Sequence, residues 1–333
     1  MDKVQLIDEK FIEANTDFKE LIQYLQNSFA KFSALVPMRH HHDFPNPKAG
    51  TKSTLLLMPA FVPSEEAGVK IVTVNPKNSD YDLPSIHGTY IYLDAHKGTV
   101  KAIMDGKSLT AKRTAAASAL ASKFLSKKDS SSLLMIGTGA LSKNLILAHA
   151  SVRPIKDVYV YGRDIRKAQK VCKSLENESF KMHFVKEISD VISKVDIISC
   201  ATLSVEPLIH GEDLQKGQHI DLVGSYKRNM READDEVMRK GEIFVDTIEG
   251  ATKESGDLII PLEENIISLN DIKGTLNDLC TESNIGRNSD DQITVFKSVG
   301  HALEDLSAAS YYYKNFMHSI ASKQIAENNI FKS

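Results

Sequence analysis

At 333 residues, 42% hydrophobic and 26% charged, the chain is long enough for two domains with substantial cores and has an ordinary globular composition. A net charge of −3, with no basic stripe interleaved with aromatics, speaks against a nucleic-acid partner, and no apolar run reaches membrane-spanning length. Cys172, Cys200 and Cys280 are odd in number, widely spaced and set in apolar or helical surroundings, so reduced thiols are expected rather than disulfides or a metal site; with no signal-peptide pattern, the expected compartment is the cytoplasm.

In chain order, residues of about 7 to 35 show helical spacing, with Phe18, Leu21, Ile22, Leu25, Phe29 and Phe32 recurring every three or four positions. His40-His41-His42 follows. In an extended segment consecutive side chains point to opposite faces, so the three cannot converge on one ion and no metal is expected. Thr54-Leu-Leu-Leu-Met-Pro59, Gly68-Val-Lys-Ile-Val-Thr-Val74, Thr89-Tyr-Ile-Tyr-Leu-Asp94 and Val100-Lys-Ala-Ile-Met104 are strand-like runs punctuated by Pro, Gly and Asp, which predicts an antiparallel sheet. The stretch Asp94-Ala-His-Lys-Gly98 carries the glycine a hairpin loop needs. An Ala-rich helix is predicted from Thr110, read as its N-cap, to Leu125, bridging two domains.

Beyond residue 130 the most informative run begins. Ser130-Ser-Ser-Leu-Leu-Met-Ile-Gly-Thr-Gly-Ala-Leu-Ser142 is a short apolar strand feeding a Gly-x-Gly turn and then a helix, the arrangement that holds a dinucleotide pyrophosphate. Gly137 permits the tight turn and Gly139 the close approach of backbone N–H groups. Thr138, Ala140 and Leu141 complete the expected cradle, and Ser142 stands where the third glycine of the fingerprint is expected. Val158-Tyr-Val-Tyr-Gly-Arg163 arrives at the right distance to be the second strand of a βαβ unit; a hairpin or a helix-capping turn is the other reading. At its end stand Gly162 and Arg163, backed by Arg166 and Lys167, with Asp164 the only acid nearby. An Arg there accommodates the extra phosphate of NADP(H), which is therefore favoured over NAD(H), although a solvated basic turn has the same appearance.

Asp196-Ile-Ile-Ser-Cys200, His219-Ile-Asp-Leu-Val-Gly-Ser225 and Glu242-Ile-Phe-Val-Asp246 continue the alternation of strands and helices that marks a parallel sheet. Thr202 follows a strand at the place where a Rossmann strand meets its cofactor. From Ser298 to about Lys323 the pattern is again helical and is expected to pack back onto the first domain. The fold class is therefore α/β: a Rossmann-like dinucleotide-binding domain over residues 116–304, and an α+β domain over residues 1–115 with 305–333.

Several segments, taken together and in order, resemble the ornithine cyclodeaminase and mu-crystallin family. They are Pro37-Met-Arg39, Leu57-Met-Pro59, Gly68-Val-Lys70, Leu93-Asp94 with Gly98, Asp105-Gly106, Leu109-Thr-Ala-Lys-Arg113, Gly137-Thr-Gly139-Ala, Val223-Gly-Ser225, and Thr294-Val-Phe-Lys-Ser298-Val-Gly300 with Glu304-Asp305. The resemblance implies a homodimer whose first domain supplies the dimer interface and most of the substrate site. By matching position it makes Arg39 and Arg113 the pair that holds a substrate carboxylate and Lys70 the amine beside the reacting carbon. Met58 and Tyr226 are then substrate-site residues, and Ser298 and Gly300 approach the nicotinamide. His40 or His42, flanking Arg39, could contact the ligand, and Asp305 is expected to orient neighbouring backbone or to be a helix-surface acid.

The chemistry agrees. A bidentate Arg fork fixes a carboxylate plane and aims the adjacent carbon at a hydride donor, and a Lys whose pKa is lowered by neighbouring arginines can supply a proton. Two departures narrow the reaction. The cyclodeaminase branch resembles this chain but has a carboxylate where Leu56 stands and an Asp where Tyr226 stands, and the archaeal-type alanine dehydrogenases share the Asp-bearing pattern. Expelling ammonia and closing a ring calls for such acid–base groups, whereas reducing a preformed C=N needs mainly orientation. The expected function is NAD(P)H-dependent reduction of a small cyclic imino acid, pyrroline-2-carboxylate or piperideine-2-carboxylate, to proline or pipecolate. Ornithine cyclodeamination, an opine-type or alanine dehydrogenase, and a non-catalytic mu-crystallin-like binder are the alternatives.

Overall fold

The computed structural model describes residues 3–31 and 34–330; Phe32 of the first helical pattern lies outside the described residues. The chain opens with β1 (Gln5–Ile7), α1 (Glu9–Ala14) and α2 (Phe18–Ala30), then β2 (His40–Asn46), β3 (Thr51–Val62), β4 (Glu66–Val74), β5 (Ile86–Asp94), β6 (Val100–Asp105) and α3 (Gly106–Leu125). It continues through β7 (Ser132–Ile136), α4 (Ser142–Val152), β8 (Asp157–Tyr161), α5 (Ile165–Ser174), β9 (Lys181–Phe184), β10 (Ile197–Cys200), β11 (His219–Leu222), α6 (Asp235–Lys240) and β12 (Gly241–Val245). The last elements are α7 (Ile248–Glu254), α8 (Gly256–Glu263), β13 (Ile272–Thr275), α9 (Leu276–Cys280), β14 (Ile293–Lys297) and α10 (Ala302–Ile330).

These elements form two compact units. The first comprises the described residues of Met1–Asp17, Lys31–Arg113 and Ala302–Ser333; the second those of Phe18–Ala30 and Thr114–His301, so the division falls inside α3. Against the expected residues 1–115, the first unit loses α2. The reason is its apolar stripe: Phe18, Leu21, Ile22, Leu25 and Phe29 are buried, α2 packs on α4 and α9, and Asn277 donates to the Phe29 carbonyl at 2.7 Å.

The first unit is a six-stranded sheet in the order β1-β6-β5-β4-β3-β2, antiparallel except that β1, which the sequence did not announce, joins β6 in parallel. The loop of residues 94–98 behaves as its composition suggests, with Gly98 at φ +69° and its N–H on the Asp94 carbonyl. Register sets two cross-strand rows on one face, Met58–Lys70–Tyr90–Met104 and Ala60–Gly68–Tyr92–Ala102, and α10 packs over β3, β4 and β5. The opposite face carries Leu57, Pro59, Phe61, Val69, Ile71, Ile91, Ile103 and Leu6, and stays substantially open: Leu6 is 71% exposed, Ile103 38% and Phe61 37%.

The start of α3 corrects the expected cap. The helix begins at Gly106, and the carboxylate of Asp105 accepts from the Ser108 N–H at 2.7 Å, doing what was expected of Thr110. Thr110 lies one turn inside, its hydroxyl on the Gly106 carbonyl at 2.6 Å.

The second unit is an eight-stranded, wholly parallel sheet in the order β13-β12-β14-β11-β10-β7-β8-β9. Its central strands read as unbroken apolar runs because both faces are covered: Leu133, Leu134, Met135 and Ile136 of β7 are fully buried. From β7 the chain first runs outward through β8 and β9, then returns to place β10 on the other side of β7. Loops leaving the C-terminal ends of β7 and β10 therefore diverge, and that divergence is where doubly wound sheets open a binding crevice.

Candidate active site

In the first unit the site is a buried cluster of charge. Lys70, in the middle of β4, is 2% exposed, and its Nζ donates to Asp305 Oδ1 at 2.8 Å. Arg113, one residue before the division in α3, donates from Nε to the same Asp305 oxygen at 2.9 Å and from Nη1 to Glu304 Oε2 at 2.6 Å. Arg39, which is half-buried, is close enough for its charge to act on both Lys70 and Asp305. Burial, and next the neighbouring Arg113, push the Lys70 ammonium down to about 8, with Asp305 opposing them. Burial alone would raise the Asp305 carboxyl, but Arg113 and Lys70 outweigh it and hold it below the usual carboxylate range.

The sequence expectations meet this geometry as follows. Lys70, Arg113 and Met58 are brought together, Met58 standing directly opposite Lys70 in the β3–β4 ladder. Leu56 lies one pair further along the same face, so the position where a cyclodeaminase has a carboxylate is apolar next to Lys70. Asp305 is neither a surface acid nor a backbone orienter: it is fully buried and its carboxylate binds side chains. Glu304, quoted only as part of a motif, holds one arm of the Arg113 fork. His40, His41 and His42 run along exposed β2, with His40 and His42 in edge contact, centroids 6.2 Å apart. Tyr226 belongs to the second unit and is 42% exposed, with the Lys227 ammonium over its ring.

In the second unit a cleft of about 640 Å³ opens at the C-terminal ends of β7, β8 and β10. Gly137, Thr138, Gly139, Gly162, Arg163, Lys167 and Thr202 are among its lining residues. Gly137 has φ +118°, and a Cβ there would stand 2.5 Å from the Ala201 carbonyl oxygen, so no other residue fits the turn. Gly139 faces open space, and no side chain caps the first turn of α4 behind it. Ser142, the departure from the fingerprint, is accommodated because its buried hydroxyl donates to the Gly137 carbonyl at 2.9 Å. A glycine turn with vacant space before it, an uncapped helix start and two basic side chains suits a dinucleotide phosphate.

Other residues expected at the site in this unit stand as follows. Arg166 is not part of the cleft lining; its guanidinium folds back on Asp164, the N-cap of α5, at 3.2 Å, which lowers the Asp164 carboxyl. Ala140 is exposed and Leu141 half-buried, and neither lines the cleft. Ser298 and Gly300 are organised by a carboxylate the sequence reading passed over: Asp246 Oδ2 accepts from the Ser298 hydroxyl at 3.2 Å and from the Val299 and Gly300 N–H groups at 2.8 and 2.7 Å. Its signal was available only as an acid at a strand end.

A family model described as ornithine cyclodeaminase/mu-crystallin matches residues 3–319. The chain belongs to the ornithine cyclodeaminase/mu-crystallin family. Among its relatives is a delta(1)-pyrroline-2-carboxylate reductase of Colwellia psychrerythraea, 34% identical over 92% of this chain and 97% of that one. Among solved structures, the Thermococcus litoralis delta(1)-pyrroline-2-carboxylate reductase in complex with NADH and L-proline is similar at TM-score 0.88 and 32% identity, covering 95% of this chain and 98% of the other. An archaeal alanine dehydrogenase dimer with bound NAD is similar at TM-score 0.86 and 26% identity, covering 95% and 97%. The family fold is thus a parallel Rossmann-like sheet unit with a second, mixed-sheet unit, as observed here.

Proposed function

We propose that this family member is a nicotinamide-dependent reductase of a small cyclic imino acid, converting pyrroline-2-carboxylate or piperideine-2-carboxylate to proline or pipecolate. The observation that carries the reading is the buried Lys70–Asp305–Arg113 cluster with apolar Leu56 beside it. It offers cationic groups for a carboxylate and a titratable ammonium for a nitrogen, without the additional carboxylate that cyclodeamination would use. The relatives that act on pyrroline-2-carboxylate support the same substrate class.

Gly137, Thr138 and Gly139 would hold the pyrophosphate of the dinucleotide, and Arg163 with Lys167 would take an extra phosphate, favouring NADP(H) with NAD(H) also accepted. When bound, the reduced nicotinamide supplies a hydride to the imine carbon. Arg113 and Arg39 bind the substrate carboxylate, fixing the plane of the C=N. The Lys70 ammonium donates to the nitrogen, and Asp305 holds Lys70 in place and stabilises its charge.

The open apolar face of the six-stranded sheet supports a homodimer, in which a second copy covers Leu6, Phe61 and Ile103. The functional test mixes purified protein with NADPH or NADH and each cyclic imino acid and follows reduced-nicotinamide absorbance, with L-ornithine plus NAD in a parallel ammonia assay. Imine-dependent oxidation without ammonia release supports the reading; proline and ammonia from ornithine overturn it.

A further inference from the structure

The loop that leaves β10 is tied to the start of the loop that leaves β11 by a side chain from the far end of the latter, just before α6. Glu232 is wholly buried. Its Oε1 accepts from the Thr202 backbone N–H at 2.7 Å and the Thr202 hydroxyl at 2.9 Å, in the loop after β10. Its Oε2 accepts from the backbone N–H groups of Gly224 at 2.7 Å and Ser225 at 3.2 Å, in the loop after β11. The two loops are in backbone contact, since a Cβ on Gly224 would stand 2.1 Å from the Thr202 carbonyl oxygen.

The carboxylate is itself fixed from below. Asp257 Oδ1 accepts from the Glu232 N–H at 2.7 Å, and buried Lys297 lies 3.1 Å from Asp257 Oδ2 and 4.0 Å from Glu232 Oε2. A carboxylate has two oxygens and lone pairs for all four donors. A Gln in its place would turn an NH2 group toward one loop's N–H groups, and an Asp would be a methylene too short to span both.

Thr202 lines the cleft, whereas Glu232 does not. We propose that Glu232 is a positioning residue for dinucleotide binding, fixing the β10 rim of the cleft by bridging Thr202 to Gly224 and Ser225. The inference rests on reading the cleft as a dinucleotide site.

The test compares Glu232→Gln and Glu232→Asp with the wild type, measuring NADH and NADPH affinity by fluorescence titration and KM for both substrates. In cooperatively folding variants the dinucleotide Kd is expected to weaken by about tenfold or more, with the imino-acid KM moving far less. A Kd within about twofold of wild type, or both KM values worsening in parallel, overturns the proposal. Should neither variant fold, hydrogen exchange of the ligand-free wild type decides: slow exchange of the Thr202 and Gly224 amides supports a preformed bridge, and exchange at loop rates overturns it. A wild type that binds neither dinucleotide fails the cleft reading itself, a different result from normal binding by the variants.

Discussion

Asp305 reaches from α10 to the middle of β4, where its Oδ1 accepts from Lys70 Nζ at 2.8 Å with both side chains out of water. The same oxygen accepts from Arg113, so one carboxylate oxygen balances two cations that would otherwise repel one another in a dry interior. Breaking a buried pair leaves an uncompensated charge, and the cost of that exceeds what the pair contributes. Asp305→Asn is therefore expected to lower unfolding free energy by about 3–5 kcal/mol in urea denaturation. Its loss would also drop the Lys70 pKa below its present value of about 8.

The Lys70 titration gives a pH signature in turnover. With its pKa at about 8, Lys70 is an ammonium at pH 7 and loses the proton as pH rises through that value. If the ammonium donates to the imine nitrogen, kcat/KM for reduction is expected to be level below pH 7 and to fall about tenfold per unit well above 8. A profile still level at pH 10 contradicts the role.

The same shift predicts a stability difference. The folded value of about 8 lies below the ordinary 10.5, so between these limits the unfolded chain carries a proton that the folded chain has released. Unfolding then takes up a proton, and stability from this group rises with pH across the window, by about 3 kcal/mol in all. The rise should be present in wild type and absent in Lys70→Met when urea midpoints are compared between pH 7.5 and 10.

Gly137 and Gly139 should separate folding from binding. Gly137→Ala forces a Cβ against the Ala201 carbonyl in a left-handed turn and is expected to cost about 1–3 kcal/mol of stability. Gly139→Ala projects into open space, leaving stability within about 0.5 kcal/mol while weakening dinucleotide affinity. Equal dinucleotide affinity in Gly139→Ala and wild type would remove that glycine from the cradle.

Arg163→Ala and Lys167→Ala test the proposed phosphate preference. Each is expected to raise the KM for NADPH by about tenfold, with the KM for NADH changed much less and the difference shrinking in high salt. An equal change for both dinucleotides would assign these side chains to general charge.

The open sheet face predicts association. Sedimentation should return twice the 36.9 kDa chain mass, and Ile103→Glu should return a single chain mass, because a carboxylate on that open face, beside Leu6, cannot be buried without a partner.

Local chemistry made much of this molecule legible. The apolar run 132–136, the turn at Gly137 and Gly139 and the basic residues after β8 announced a parallel sheet with a glycine turn and basic side chains at one cleft, because strand length, φ preference and charge are properties of neighbours in the chain. Lys70 and Arg113 were likewise visible through family-like segments. The three-residue strand β1, the membership of α2 in the second unit and the roles of Asp305, Glu304, Asp246 and Glu232 were not. Each depends on a partner well separated along the chain: Asp305 meets a lysine 235 residues earlier, and Glu232 ties its own loop to Thr202, 30 residues earlier. Sequence periodicity fixes which face of an element is apolar, but it carries no information about which buried carboxylate will find which donor. That choice is made only when packing removes water, since a charge in a dry interior is stable only beside the opposite charge or N–H group that folding delivers to it.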